Sequence, residues 1–420
     1  MKAYLEVYGC SANKADAEII EGILEKRGDE MVTDPSEADL LILATCTVID
    51  STQQRMLHRL GVLNKLKKKL IVTGCMASVQ KELIKDVAPK ALLLEPTHLH
   101  HLPELVEGVE ESEVGLKEKP KSGMPHRWHP PIATIPIGEG CLHKCTFCIT
   151  RLARGRLRSY PLHSIKEDVC RAAVNGCKEI RLTAQDTGGW GWDRGQRLSE
   201  LIKEICGINK EFWLRIGQMN PAHASKDLKG LIGAYGNPKV FKFLHLPVQS
   251  GSDKILDLMR RGYSVERFIS VVDSFRREIS ELTLSTDLIV GFPGEDERDF
   301  ENSLELIRKI EPDKVNITRF SSRPKTEAKL MKERVPTQIA KDRSRELTEL
   351  VKEIAYKRNR SFVGRTGKVI VTGRGKEGTT KGRNLSYKPV IIKRNLPLGY
   401  VAEVEIVDCT PTHLFGEVIG

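Results

Sequence analysis

Within the first 75 residues, three short apolar runs of strand type each stop on a cysteine. VYGC ends at Cys10, LATC at Cys46 and VTGC at Cys75. Amphipathic stretches with helical spacing lie between them: Lys14–Lys26 carries Ala17, Ile20 and Leu24 on one side, and Thr52–Lys67 carries Met56, Leu60 and Leu63. Alternation of this kind predicts a Rossmann-like parallel sheet, since a parallel neighbour is reached only through a crossover. Such sheets bind ligands beyond the carboxyl ends of their strands, which is where all three cysteines fall. One such thiol is ordinarily a small core residue. Three at equivalent strand ends point to a shared metal site.

A second alternating region runs from Ile132 to about Tyr356. Strands are predicted at Ala133–Ile137, Glu179–Thr183, Phe212–Ile216, Phe241–Leu246, Thr283–Val290 and Lys314–Thr318. Helical stretches such as Ser164–Asn175, Leu198–Ile205, Glu266–Arg277 and Glu297–Ile310 separate them. Six strand–helix units predict a partial (β/α)6 barrel with its functional groups at the C-terminal strand ends. The charged stretch Glu107–Pro125 has little apolar periodicity and reads as a linker. Beyond the charged helix Gln338–Asn359 come short β-type runs and Gly-rich turns, which predict a small β-barrel. The expected division is therefore α/β: residues 1–108, a linker 109–126, a barrel 127–358 and a β-module 359–420.

Charge suggests the partner. The chain has 67 Lys and Arg against 56 Asp and Glu, a formal charge of +11, which suits a polyanion such as RNA. Residues 360–420 alone hold ten Lys and Arg against five Asp and Glu, as in many small RNA-binding barrels. The start MKAYLEVYGC lacks a signal-peptide pattern. The longest apolar stretch, Ala38–Ile49, is too short to span a bilayer and carries Asp39. A cytoplasmic protein with reduced cysteines and no membrane partner is expected.

Directly after the first barrel strand, Gly140–Cys148 reads GCLHKCTFC. Cys141, Cys145 and Cys148 offer three thiolates where structural metal sites use four. Three thiolates can hold three irons of a four-iron cube and leave the fourth open, and an open position makes a metal site catalytic. A zinc ion with a distant fourth ligand such as His143 or His129 is the alternative. Cys170, Cys177, Cys206 and Cys409 lack ligand spacing and read as core or surface residues. THLHHLPE (Thr97–Glu104) reads as a turn opening a helix, and NKLKKK (Asn64–Lys69) as a solvated helix end.

The cysteine triad and its place after the first barrel strand resemble the radical SAM superfamily. With the strand-end cysteines and the basic β-module, the whole chain resembles the methylthiotransferases. That resemblance implies two 4Fe-4S clusters and S-adenosylmethionine. Cys141, Cys145 and Cys148 would hold the cluster that binds S-adenosylmethionine, and Cys10, Cys46 and Cys75 an auxiliary cluster that carries or relays sulfur. It implies a TRAM domain at the C-terminus that binds tRNA, and Phe147 against the adenine. Gln185, Asp186 and Thr187 follow the second strand and are placed for the methionyl amino group or ribose. Gln249 and Ser250 follow the fourth strand. Gly291, in the turn GFPG, would let an adenine approach the backbone. Arg154 and Arg158 are placed for phosphates or the cofactor carboxylate. No catalytic side chain is assigned.

Five stretches resemble the archaeal and eukaryotic branch acting on threonylcarbamoyladenosine in tRNA: LARGRLRSYP (Leu152–Pro161), RLTAQDTGGWGWD (Arg181–Asp193), RIGQMNP (Arg215–Pro221), FLHLPVQSGSDKIL (Phe243–Leu256) and TDLIVGFPGE (Thr286–Glu295). The implied reaction adds a methylthio group at C2 of that base in the anticodon stem-loop, with a low-potential electron donor and a sulfur donor as partners. Isopentenyladenosine and a ribosomal-protein aspartate are the alternative substrates, and a non-catalytic zinc-containing RNA-binding protein is the alternative class. Two departures from the family pattern stand out: Ala44-Thr45 before Cys46, where Asn-Thr is frequent, and Lys325 after Arg323-Pro324, where glycine is common.

Overall fold

The computed structural model describes residues 1–48, 50–109 and 118–419. The N-terminal unit is a five-stranded parallel sheet. Its strands are β1 (Lys2–Val7), β2 (Glu30–Met31), β3 (Leu40–Thr45), β4 (Lys69–Gly74) and β5 (Leu92–Leu94), in the order β2-β1-β3-β4-β5. β3 is buried along its whole length, as a central strand covered on both faces must be. The short edges β2 and β5 were not anticipated, because two or three residues give no periodicity to read. Residues 110–117, part of the expected linker 109–126, lie outside the described residues.

The central unit begins with β6 (Ile132–Pro136), followed by the antiparallel pair β7 (Gly138–Glu139) and β8 (Arg158–Ser159). Next come β9 (Glu179–Thr183), β10 (Trp213–Ile216), β11 (Phe243–His245), β12 (Thr283–Val290) and β13 (Lys314–Arg319). They form two parallel sheets, β6-β9-β10 and β11-β12-β13, joined by a parallel bridge between Leu214 and Val240. The result is the expected partial barrel, and one large apolar cluster packs its helices onto it.

β6 is the free edge of the first sheet, and the helix Ser11–Lys26 of the N-terminal unit lies along it. Glu18 on that helix accepts the Thr134 N–H of β6 at 3.0 Å, so the edge is covered rather than left to pair elsewhere. Where residues 125–126 cross the same helix, a Cβ on Gly22 would stand 2.6 Å from the His126 backbone. Only glycine fits there.

The C-terminal module is a closed barrel of β14 (Thr366–Arg374), β15 (Thr380–Asn384), β16 (Pro389–Ile392), β17 (Val401–Cys409) and β18 (Leu414–Val418), in the order β14-β15-β16-β18-β17. β15 (TKGRN) is too polar to read as a strand. It pairs because Gly382 lets Val369 and Ile370 approach to distances that a Cβ would forbid. The turn after β15 reaches the base of the central barrel. Tyr387 Oη donates to Glu179 Oε1 at 2.6 Å, at the first residue of β9, and Lys388 Nζ donates to Asp313 Oδ1 at 2.7 Å just before β13. No helix among the described residues is long and apolar enough to cross a membrane.

Candidate metal and cofactor centre

β1, β3 and β4 are adjacent and in parallel register, so Cys10, Cys46 and Cys75 leave neighbouring strands at the same end of the sheet. Glycine makes the convergence possible at two points. Gly74 has φ +87°, and a Cβ there would lie 2.2 Å from the Thr45 carbonyl. Gly9 has φ +114°, and a Cβ would lie 2.9 Å from Cys46 Cβ. Cys10 is the N-cap of the helix Ser11–Lys26, in extended backbone. Burial pushes the Cys75 thiol up to about 11 and raises that of Cys46, and the neighbouring sulfur charges raise both further. Three mutually repelling sulfurs become thiolates together when a metal takes the place of their protons. This all-sulfur set fits zinc or an iron–sulfur cluster.

The second trio occupies the turn between β7 and the helix Ile149–Arg154. Gly140 begins it at φ +76°, with the Arg156 carbonyl only 2.1 Å from where a Cβ would stand. The Cys141 N–H donates to the Gly155 carbonyl at 3.2 Å, and the Cys148 N–H to the Cys145 carbonyl at 3.1 Å. Across the mouth, Thr146 Oγ1 donates to the Leu258 carbonyl at 2.9 Å. Burial and the Asp186 carboxylate push the Cys141 thiol up to about 12, and burial raises Cys148. Cys145 Sγ accepts from Arg261 Nη1 at 3.3 Å. Arg261 is itself buried, its other donors taken by the Pro247 carbonyl and Tyr263 Oη. A buried cation on a cysteine sulfur offsets the negative charge that a thiolate-held metal brings.

A short helix spans the distance between the trios. Ile149–Arg154 starts on Cys148, and its Ile149 and Ala153 pack with Cys75 and Val79. At its far end the Arg154 guanidinium is 1% exposed. Nη2 donates to Asp16 Oδ2 at 2.8 Å and to Asn13 Oδ1 at 2.7 Å, and Nη1 donates to Glu139 Oε1 at 2.5 Å. Lys121, buried beside it, pairs with Asp16 and with Glu139 Oε2 at 2.7 Å. Arg154 also lowers the Cys75 thiol against the effect of burial. Arg154 was expected at phosphates or the cofactor carboxylate. In the structure its Nη1 and Nη2 are engaged in the seam between the two units, beside the N-terminal cysteines. Lys121, in a stretch read as plain linker, gave no sequence signal. A second link is Arg323, which donates to the Thr47 carbonyl, Gln53 Oε1 and Asp50 Oδ1 at 2.9–3.2 Å and so holds the turn after Cys46.

The remaining expected residues sort by what already engages them. Gln185 Oε1 accepts the Gly140 N–H at 2.6 Å and thereby fixes the cysteine turn. Asp186 accepts from His223 Nδ1 at 2.6 Å and from the Asn220 N–H at 2.9 Å. Burial works to raise its carboxyl, yet these partners hold it below the usual range. Thr187 is fully buried, and its hydroxyl donates to the Gly217 and Gln218 carbonyls. Its side chain is thus committed to the loop. Ser250 Oγ accepts the Ser252 N–H at 3.2 Å. Gln249, just beyond β11, has φ +78°, a strained conformation for a side-chain-bearing residue and a frequent sign of a working site. Phe147 packs edge-on to Phe292, centroids 6.3 Å apart. Gly291, at φ +74°, meets Ala340 of the helix Thr337–Arg360, and its N–H donates to the Glu295 carboxylate. A side chain there would run into that helix, a second reason for glycine beside the expected approach of an adenine. Arg158 pairs with Glu118. His129 Nε2 pairs with Glu21 Oε2 at 2.6 Å.

Sequence reading missed one cluster. His143, between two cysteines, has its ring 4.6 Å from that of His223, and both flank Asp186. Burial drives the His143 imidazole down to about 4.

Comparison with known proteins gives three matches in chain order. An uncharacterized protein family, UPF0004, matches residues 2–95, the radical SAM superfamily 135–307 and the TRAM domain 360–419. A Pyrococcus horikoshii protein described as a probable threonylcarbamoyladenosine tRNA methylthiotransferase is 41% identical over 430 residues, covering all of both chains. The Danio rerio threonylcarbamoyladenosine tRNA methylthiotransferase is 33% identical over 99% of this chain and 78% of its own. A Fusobacterium nucleatum tRNA-2-methylthio-N(6)-dimethylallyladenosine synthase is 32% identical over the full length of both. Among solved structures, the radical S-adenosylmethionine methyltransferase TsrM from Kitasatospora setae superposes with a TM-score of 0.58 at 12% identity, over 78% of this chain and 73% of its own, a likeness of fold.

Proposed function

Given that the chain belongs to the radical SAM methylthiotransferase family, we propose that it converts N6-threonylcarbamoyladenosine beside the tRNA anticodon to its 2-methylthio derivative. The observation that carries this reading is full-length identity near 40% to relatives described by that activity, against 32% to those described as dimethylallyladenosine synthases.

Cys141, Cys145 and Cys148 would hold the 4Fe-4S cluster that binds S-adenosylmethionine, and Cys10, Cys46 and Cys75 a second cluster. Together these groups supply reducing power, a radical able to take hydrogen from an unactivated C–H bond, and sulfur for transfer. The protein's own part is placement and exclusion of water. Gln185 holds the Gly140 backbone and thus the cysteine turn. Arg261 supplies a buried positive charge to Cys145. Phe147 and Phe292 form an apolar wall with Ile255 and Met259 on one side of the turn, which keeps water from a reactive intermediate. Gln249, held in its left-handed conformation beyond a strand end, is placed for a polar contact to the cofactor.

The C-terminal module would grip the tRNA. Arg374, Lys376, Lys381, Lys393 and Arg394 are all exposed and gather where β15 meets β14 and β16. Neutralising phosphates with such side chains yields salt-dependent binding. The anticodon loop is single-stranded, so its base can be splayed into the barrel mouth at modest cost. The external partners would be a low-potential electron donor and a sulfur donor, and the protein would work in the cytoplasm.

The test is anaerobic reconstitution followed by turnover on anticodon stem-loops bearing threonylcarbamoyladenosine or isopentenyladenosine, with the nucleosides read by mass spectrometry. A methylthio product from the first alone is expected. Product from the second alone would reassign the substrate.

A further inference from the structure

Three neighbouring segments converge beside the turn Gly140–Cys148, in the strand order β10-β9-β6. The first carries His143. The segment after β9 carries Asp186, Trp192 and Arg197, and the short helix Pro221–Lys226 after β10 carries His223 and Lys226. The Trp192 and His223 rings are 5.3 Å apart. Arg197 Cζ lies over the indole at 4.0 Å from its centroid, and Lys226 Nζ at 5.1 Å.

Two cations share one indole, yet among the described residues neither has a carboxylate within ion-pair distance. Arg197 Nη1 donates to the Gln196 carbonyl at 2.9 Å. The neighbouring acids are engaged elsewhere: Asp186 by His223 and Asn220, Asp193 by the Ser159 N–H, and Asp227 by Ser199. Cation–π attraction holds each cation to the ring, but it does not cancel the repulsion between them. An anion between them would. Guanidinium and ammonium both recognise carboxylates, the former with two parallel donors.

We propose that Arg197 and Lys226, on the Trp192 face beside His223, form the wall of the substrate pocket that takes the threonyl carboxylate of the modified base. This rests on the function proposed above. The wall selects against an adenosine with an apolar substituent, which would desolvate two cations and return no partner to them. Lys226 is exposed and Arg197 half-buried, so truncating either opens no cavity in the core.

The experiment compares anticodon stem-loops bearing threonylcarbamoyladenosine with loops bearing its methyl ester, which lacks the negative charge. Binding to the reconstituted protein is read by fluorescence anisotropy, and S-adenosylmethionine binding by equilibrium dialysis. The unsubstituted protein should prefer the acid about tenfold, one charge-assisted contact. Arg197→Ala and Lys226→Ala should each shrink that preference several-fold. The double variant should abolish it while still binding the ester and S-adenosylmethionine, and Lys226→Arg should retain it. Equal weakening of acid and ester would assign the cations to RNA phosphate and overturn the inference. Loss of S-adenosylmethionine binding would assign them to the cofactor's carboxylate and overturn it equally. So would an unchanged preference for the acid. Circular dichroism of each variant establishes that it folds. Failure of the functional reading appears separately, as no turnover of the threonylcarbamoylated loop by the unsubstituted enzyme.

Discussion

Arg154 Nη2 stands 2.8 Å from Asp16 Oδ2, one residue from the barrel and the other from the N-terminal sheet unit, with side chains 1% and 3% exposed. With Lys121 and Glu139 they make a buried quartet of two acids and two bases. Taking one member from such a set leaves an unpaired charge out of water. Arg154→Met should therefore cost about 3–5 kcal/mol. Urea unfolding followed by tryptophan fluorescence would measure it. Arg154→Lys should recover only part of the loss, since one ammonium cannot reach Asp16, Asn13 and Glu139 together.

Glu18 sets a pH dependence. Burial raises its carboxyl from 4.5 to about 8, although the Thr134 N–H works against that rise. The folded protein thus holds a proton that the unfolded chain releases near 4.5. This contribution is full below 4.5 and is lost as pH rises to about 8, on the order of a few kcal/mol. Glu18→Gln keeps an acceptor for Thr134 and removes the titration. Its denaturation midpoint should match the parent at pH 5 and exceed it at pH 8. A constant difference across that range would remove Glu18 as the cause.

Lys325 has φ +60° at a position where glycine is common in the family. Its side chain is exposed, so replacement removes strain without losing packing. Lys325→Gly should stabilise the protein by about 1 kcal/mol, the relief of a left-handed backbone less the added freedom of the unfolded chain. A rise in the thermal midpoint is the expected reading. The neighbouring Arg323 contacts with the turn after Cys46 should survive, with iron content unchanged.

Removing one ligand from either trio should empty only its own site. Cys75→Ala and Cys145→Ala, each reconstituted anaerobically, should fall from about eight irons per chain to about four. Cys177→Ala, altering a buried thiol of the barrel core, should keep all of them. Complete loss of iron from one single variant would mean that the two sites fold around their metals as one.

The strand ends were legible because apolar runs and helical stretches alternate so regularly that each cysteine falls at a defined place. Glu179–Thr183 and Thr283–Val290 form at the residues expected. Less legible was whatever depends on one chain segment meeting another. Arg154 sits in RLARGR, a stretch that reads as phosphate-binding, and its partners come from a helix about 140 residues earlier. Lys121 looks like one charge among many in a linker until Asp16 and Glu139 are brought to it. His143 and His223 carry no shared spacing and meet only because β6, β9 and β10 lie side by side. Gly291 was read as letting an adenine approach the backbone, and nothing in its sequence showed that a helix about 50 residues later also packs against it.

Tyr387 belongs to the C-terminal TRAM module, yet it closes the floor of the catalytic barrel, packed 4.9 Å from both Phe241 and Phe243 and bonded to Glu179. Trimming the chain to a minimal catalytic fragment would thus unroof the chamber from below and expose charged strand residues to solvent. Evolution of tRNA grip and of the reaction vessel is constrained jointly, for a change in one alters the walls of the other.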